Sequence, residues 1–203
     1  IINLPEDIDM LVKYLRRYQL EPFIFDIRTD LAVPSALVIT IDKTGLGPAV
    51  NIGARADLNY FDAIICALLE SIQSRRILRI QKNKIKVSEK IKSIEDRLSF
   101  WGSINRIKDL EFWLESSRTA DYKSLINYGI TTEEILKRLA SKNYHVFAAD
   151  ITIPQIAKVG FEVVKVIIPE LHPLYLNEDA KALYSVFHGA IRDDNSLKPH
   201  PFT

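Results

Sequence analysis

Phe23-Ile24-Phe25-Asp26-Ile27, followed after Pro34 by Ala36-Leu37-Val38-Ile39-Thr40-Ile41, is the stretch on which the fold turns. Two short, nearly unbroken apolar runs bounded by proline read as buried strands. Upstream, Pro5-Glu6-Asp7 opens a helical pattern that runs to about Gln19, with Ile8, Leu11, Leu15 and Tyr18 recurring on one face. Its acidic first turn suits the helix dipole. Downstream, Gly45, Gly47 and Pro48 turn the chain, Ala49 to Ile52 reads as a further strand, and Gly53 is expected to end it before a long helix from about Asn59 to Ile80.

The order then begins again. Thr131-Thr132-Glu133-Glu134 is a helix-start signal followed by Ile135, Leu136 and Leu139, Tyr144 to Ile151 reads as a strand, and Glu162 to Ile168 as another closed by Pro169. At an offset of 124 residues Leu11, Val12, Lys13 and Leu15 fall on Ile135, Leu136, Lys137 and Leu139, and Asp26-Ile27 falls on Asp150-Ile151. The expected fold is therefore α+β: a mixed sheet with packed helices, built from two helix-strand-strand units related as an internal repeat, with a helical excursion between them. The boundaries are about 5–58 for the first repeat, about 59–124 for the helical middle, and about 125–203 for the second repeat and the proline-rich tail.

Composition limits the function classes. A chain of 203 residues, 47% of them hydrophobic, can bury a substantial core. Lys+Arg 27 against Asp+Glu 26 leaves a net charge of +1, which advertises neither nucleic acid nor an anionic membrane. The single Cys66 excludes a disulfide framework and a cysteine-based zinc site, and the 4 His residues lack ligand spacing. Nor does any apolar run reach the ~18–20 residues of a membrane span. A cytoplasmic protein is expected. Because the sequence begins at Ile1, a processed or partial polypeptide is expected as well. Lys82, Lys84, Lys86, Lys90 and Lys92 form a basic run that reads as a solvated helix face, with a phosphate or an acidic leader peptide as the alternative.

The long helix carries Asp62, Cys66, Glu70 and Gln73 in one stripe among apolar positions. A carboxylate in such a setting needs a cation, a hydrogen bond or solvent. Glu70 has the oxygen chemistry that Mg²⁺ prefers, and Gln73 adds an amide one turn on. A solvent-facing stripe without chemistry is the competing reading.

Several segments together resemble the YcaO family. Gly53-Ala54-Arg55-Ala56-Asp57-Leu58 leads into a helix containing Glu70-Ser71-Ile72-Gln73-Ser74-Arg75, similar to the family's Glu-x-x-Gln-x-Arg motif. Asp26-Ile27-Arg28-Thr29 before Val33-Pro34, and Asp150-Ile151-Thr152, resemble its Asp-Leu-Thr strand ends. Val163 to Pro169 resembles the strand before its Val-Pro-Gly-Leu turn, and Lys198-Pro199-His200-Pro201-Phe202-Thr203 the proline-rich C-terminus of its peptide-cyclising members, the thiazole/oxazole-modified microcin subfamily.

That resemblance implies ATP and Mg²⁺ as cofactors and cyclodehydration of Cys, Ser or Thr in a ribosomally made precursor peptide to azolines. It implies Glu70 as metal and nucleotide ligand, Gln73 and Arg75 as further nucleotide contacts, and Pro199, Pro201 and Thr203 as the tail that brings a terminal carboxylate to the reaction. The implied partners are the precursor peptide, a leader-binding protein or domain, further copies in a homo-oligomer, and an N-terminal half, since the family's Ser-x-x-x-Glu-x-x-Glu-Arg motif has no counterpart in the chain. Cys66 stands where the family carries an arginine, Thr203 where it carries proline, and the turn after Pro169 reads Glu170-Leu171 without glycine. The alternatives are a non-catalytic scaffold that binds a peptide or partner, and another amide modification such as thioamidation.

Overall fold

The computed structural model describes residues 1–81, 90–182, 184–185, 189–190 and 198–202. They fall into two units: Ile1–Ile130 with Tyr175–Lys181 and Asp194–Thr203, and Thr131–Leu174 with Ala182–Asp193. Lys82, Lys84, Lys86 and Thr203 lie outside the described residues.

In the first unit, helix α1 (Glu6–Arg17) has acidic residues in its first turn and Arg16 and Arg17 in its last, an arrangement that complements the helix dipole. It buries Ile8, Val12 and Leu15. Strands β1 (Leu20–Asp26), β2 (Ser35–Asp42) and β3 (Val50–Ala56) form an antiparallel sheet in the order β1-β2-β3. Because side chains alternate along a strand, β2 feeds two cores. Ala36 and Val38 join Ile8, Ile24, Ile64 and Leu68 in one apolar cluster. Leu37, Ile39 and Ile41 join Val50, Ile52, Phe100 and Trp101 in another.

Helix α2 (Tyr60–Gln81) starts at Asn59, whose side-chain oxygen accepts the Asp62 amide at 2.9 Å. Ala63, Ile64, Ala67, Leu68 and Ser71 form its buried face. Full burial of Ile64 and Leu68 is worth about 2 kcal/mol each. At the same face the Thr40 and Ser71 hydroxyls meet at 2.9 Å, which satisfies both inside the core.

One expectation is corrected here. Gly53 does not end its strand; it lies inside β3, where a Cβ would stand 2.1 Å from the Ala67 carbonyl oxygen and 2.6 Å from the Ser71 nitrogen. The glycine lets strand backbone and helix backbone meet. The helical middle is broken into α3 (Ile94–Trp101), a 3-10 turn at Ile104–Leu110, and the one-turn helices α4 (Glu111–Leu114) and α5 (Tyr122–Leu125). Phe100 and Trp101 are buried, whereas Phe112 is 68% exposed. Of the basic run, Lys92 pairs with Asp179 at 2.8 Å on the surface.

In the second unit, α6 (Thr132–Ser141) opens with a capping box in which the Thr131 hydroxyl accepts the Glu134 amide at 3.2 Å and the Glu134 carboxylate accepts the Thr131 amide at 2.8 Å. Strand β4 (Phe147–Asp150) pairs antiparallel with β5 (Val164–Ile167), and the short α7 (Pro154–Ala157) lies between them in sequence. Glu170 meets the amide and the Nδ1 of His145 at 3.0 and 2.6 Å. β6 (Tyr184–Ser185) and β7 (Gly189–Ala190) form a minimal pair.

The α+β class expected from the sequence is what the structure has. Among the described residues the paired strands form three antiparallel sheets where one mixed sheet was expected. Each pair joins consecutive strands, and consecutive strands joined without a crossover can only pair antiparallel.

Candidate functional site

The close approach at Gly53 has a direct consequence for Glu70. With α2 drawn against β3, the Glu70 carboxylate accepts the Ala54 amide at 2.9 Å. Among the described residues β3 is the sheet edge, and that amide is answered by a helix side chain instead of another strand. Glu70 is otherwise exposed, as are Asp62 and Gln73 on the same stripe, while Cys66 is half-buried. An exposed carboxylate with a side-chain amide one turn on fits a contribution to a hard cation and its phosphate ligands, because Mg²⁺ commonly takes one or two carboxylates and completes its shell with water and phosphate. No group of three or more His, Cys, Asp or Glu able to hold a metal is present among the described residues. Among the described residues, Glu70 could offer a metal one protein oxygen, not a full cage.

Arg75 turns the other way. Its Nε and Nη2 donate to one oxygen of Asp42 at 3.1 and 2.9 Å, and the Asp42 side chain is fully buried at the end of β2. Burial by itself would raise the Asp42 pKa; hydrogen bonds from the Thr44 hydroxyl and amide, with the Arg75 guanidinium, outweigh it and hold the carboxyl below its usual range. The structure thus brings Glu70 and Gln73 to one exposed face and commits Arg75 to the sheet. Asp42 was not singled out by sequence reasoning. An acidic residue closing an apolar strand was the available signal, but its partner lies 33 residues away.

The tail belongs to the first unit. Pro199 is half-buried, Pro201 lines a small cavity with Ile52, Arg97 and Trp101, and Phe202 packs on the second apolar cluster. Ala54 packs on that same cluster while its amide faces Glu70. Glu70 and the tail therefore approach the edge strand from opposite faces of the sheet. A separate pocket of about 280 Å³ opens along β1 between Ile1, Pro22, Phe25, Trp113 and Arg118, and neither Glu70, Gln73, Arg75 nor the prolines of the tail line it.

The fold is similar to that of a heterocyclase solved in complex with substrate and cofactor: the TM-score is 0.62 at 18% identity, over 83% of this chain and 22% of that one. The heterocyclase TruD also matches, with a TM-score of 0.48 at 19% identity over 82% of this chain and 22% of that one. The chain spans about a fifth of the length of each. No curated protein sequence matches it. Residues 2–172 match the family model described as YcaO cyclodehydratase, ATP- and Mg²⁺-binding. The chain belongs to the YcaO cyclodehydratase family. No helix among the described residues is long and apolar enough to cross a membrane.

Proposed function

We propose that this chain is the part of a YcaO cyclodehydratase that carries the Glu-x-x-Gln helix and the proline-rich tail, acting on Cys, Ser or Thr of a ribosomally made precursor peptide to form azolines. The family match over residues 2–172 carries the reading. When bound, Mg·ATP would supply its γ-phosphoryl group, leaving ADP, to the oxygen of the amide that the Cys, Ser or Thr side chain attacks, and that oxygen would leave with the phosphoryl group as phosphate as the ring closes. Glu70 contributes a carboxylate oxygen to the nucleotide-bound cation, and Gln73 an amide contact beside it. Arg75, through Asp42, holds the far part of α2 to the sheet. The tail, its course set by Pro199 and Pro201 and its acting residue Thr203, reaches the reacting amide, where positioning and charge stabilisation are the protein's task. An N-terminal half supplies the remaining acidic ligands, and a leader-binding protein or domain presents the peptide. A cytoplasmic homo-oligomer is the proposed setting.

A scaffold reading is favoured by one observation, Cys66 at the position where the family carries a cation. Calorimetry separates the two. Under the enzymatic reading Glu70→Ala weakens Mg·ATP binding at least tenfold, roughly 1.4 kcal/mol, and lowers the melting temperature only slightly, because the side chain is exposed and what it gives up in the fold is the Ala54 amide bond. Undiminished nucleotide affinity in the variant, or no binding by the complete polypeptide, ends that reading.

A further inference from the structure

Arg97 lies within α3 and its side chain is 0% exposed. A guanidinium cannot shed its charge, so burial on this scale is unfavourable unless acceptors meet the fork; here both terminal nitrogens find them and Nε does not. Three acceptors are present: the His200 carbonyl at 2.6 Å, the Leu176 carbonyl at 2.8 Å and the Glu178 carboxylate at 2.8 Å. They come from chain segments 79 to 103 residues further on. An ion pair would have needed only Glu178. Two backbone carbonyls from separate segments make the group a three-way junction between α3, the segment after residue 174, and the tail.

The tail is held at neighbouring points as well. The His200 ring stands edge-on to Tyr175 at 4.8 Å, and its Nε2 meets the Tyr175 carbonyl, which can only accept, so this nitrogen carries the proton. Phe202 is seated on the second apolar cluster. The prolines on either side of His200 lack amide donors and restrict φ, so a single carbonyl contact at His200 constrains the whole segment.

We propose that Arg97 is a positioning residue for the tail: its guanidinium fixes the backbone at His200 and with it the course of Pro199 to Phe202. That this serves ring closure rests on the cyclodehydratase reading; that the tail is docked through Arg97 does not. The test compares wild type, Arg97→Met and Arg97→Lys in the full chain, following NMR contacts of the Phe202 ring with methyls of the second cluster and contacts between Ile39 and Ile52 as the internal standard. Lysine keeps the charge facing Glu178 but is a point donor that cannot span three acceptors. In both variants the Phe202 contacts are expected to disappear while the Ile39–Ile52 contacts persist. Retention of the Phe202 contacts in Arg97→Lys, or their loss together with the sheet contacts, overturns the proposal. Should Arg97→Met fail to fold, Arg97→Lys alone decides. With the tail released in Arg97→Lys, ring formation is expected to fall about 100-fold at unchanged Mg·ATP affinity. An unchanged rate with a released tail removes the tail from the chemistry and leaves its anchoring by Arg97 standing.

Discussion

The first helix and strands of the first unit and their counterparts in the second have the same local geometry and opposite burial. Tyr18 and Gln19 donate to Leu15 and Arg16 at 2.9 and 3.0 Å; Lys142 and Asn143, 124 positions on, donate to Leu139 and Ala140 at 3.1 and 3.0 Å. Gln19 and Asn143 both take a left-handed conformation, at φ 58° and 60°. Asp26 and Asp150 each accept the amide two residues ahead, at 3.1 and 2.9 Å, and Ile27 and Ile151 donate to Ser35 and Val163 at 3.0 and 2.9 Å. Yet β2 is buried almost throughout, whereas every residue of β4 and β5 is exposed, Phe147 and Val164 to 58% and 53%. Helix ends and strand ends are decided by a few adjacent residues; burial is supplied by α2, which the second unit lacks among its described residues.

That contrast can be broken most forcefully at glycine. Gly53→Ala should cost the first unit about 3 kcal/mol, because overpacking against backbone cannot be relieved by a side-chain rotation. Gly160→Ala in the second unit meets no atom within 4 Å and faces only the strain of φ +82°, about 1 kcal/mol. Chemical denaturation read by amide exchange in each unit gives both values, and equal costs would show that the close approach at Gly53 is not a constraint.

Acid should separate the units next. Burial, with the Arg97 charge, pushes the His200 pKa below its usual 6.5, against the Tyr175 and Phe202 backbone and Glu178, which pull it up. The unfolded chain therefore takes up that proton at higher pH than the folded one, so the stability His200 contributes is present above about pH 6.5 and is lost as the pH falls towards the folded value. In the second unit the hydrogen bond with His145 holds the Glu170 carboxyl below its usual 4.5, so its contribution is present above that value and lost only as the pH falls through the lower folded one. The His200 contacts should therefore loosen at a higher pH than those of Glu170. Histidine and carboxylate NMR titrations check the order.

The smallest effect concerns the helix starts. Thr131→Ala should destabilise α6 by about 1 kcal/mol through loss of the capping box. The equivalent position before α1, Pro5, makes no side-chain cap and has none to lose. Helicity of the second unit by circular dichroism, before and after the change, measures it.

What could be read from the chain follows from the same contrast. The strands around Phe23 and Ile39, the capping signal at Thr131 and the placement of Glu70 and Gln73 on an exposed stripe are short-range properties, visible in the order of residues. Gly53 was misread because a glycine after an apolar run is as good a stop signal as it is a contact point, and only the helix arriving 14 residues later distinguishes them. Arg75 looked available because its partner, Asp42, is joined to it through the sheet. Arg97 gave no signal at all, since its acceptors are mostly main-chain carbonyls, which every residue possesses. The helical middle is present as short helices and turns, which bring Phe100, Trp101 and Trp113 to one core.

The bond from the Ala54 amide to Glu70 also bears on how the sheet is allowed to grow. An edge strand offers its outward amides to any passing strand, and such invitations are a common origin of unwanted assembly. By occupying one of them from the neighbouring helix, Glu70 acts as a latch against extension at that rung, and a change made there to probe nucleotide chemistry would at the same time reopen the rung to a newcomer.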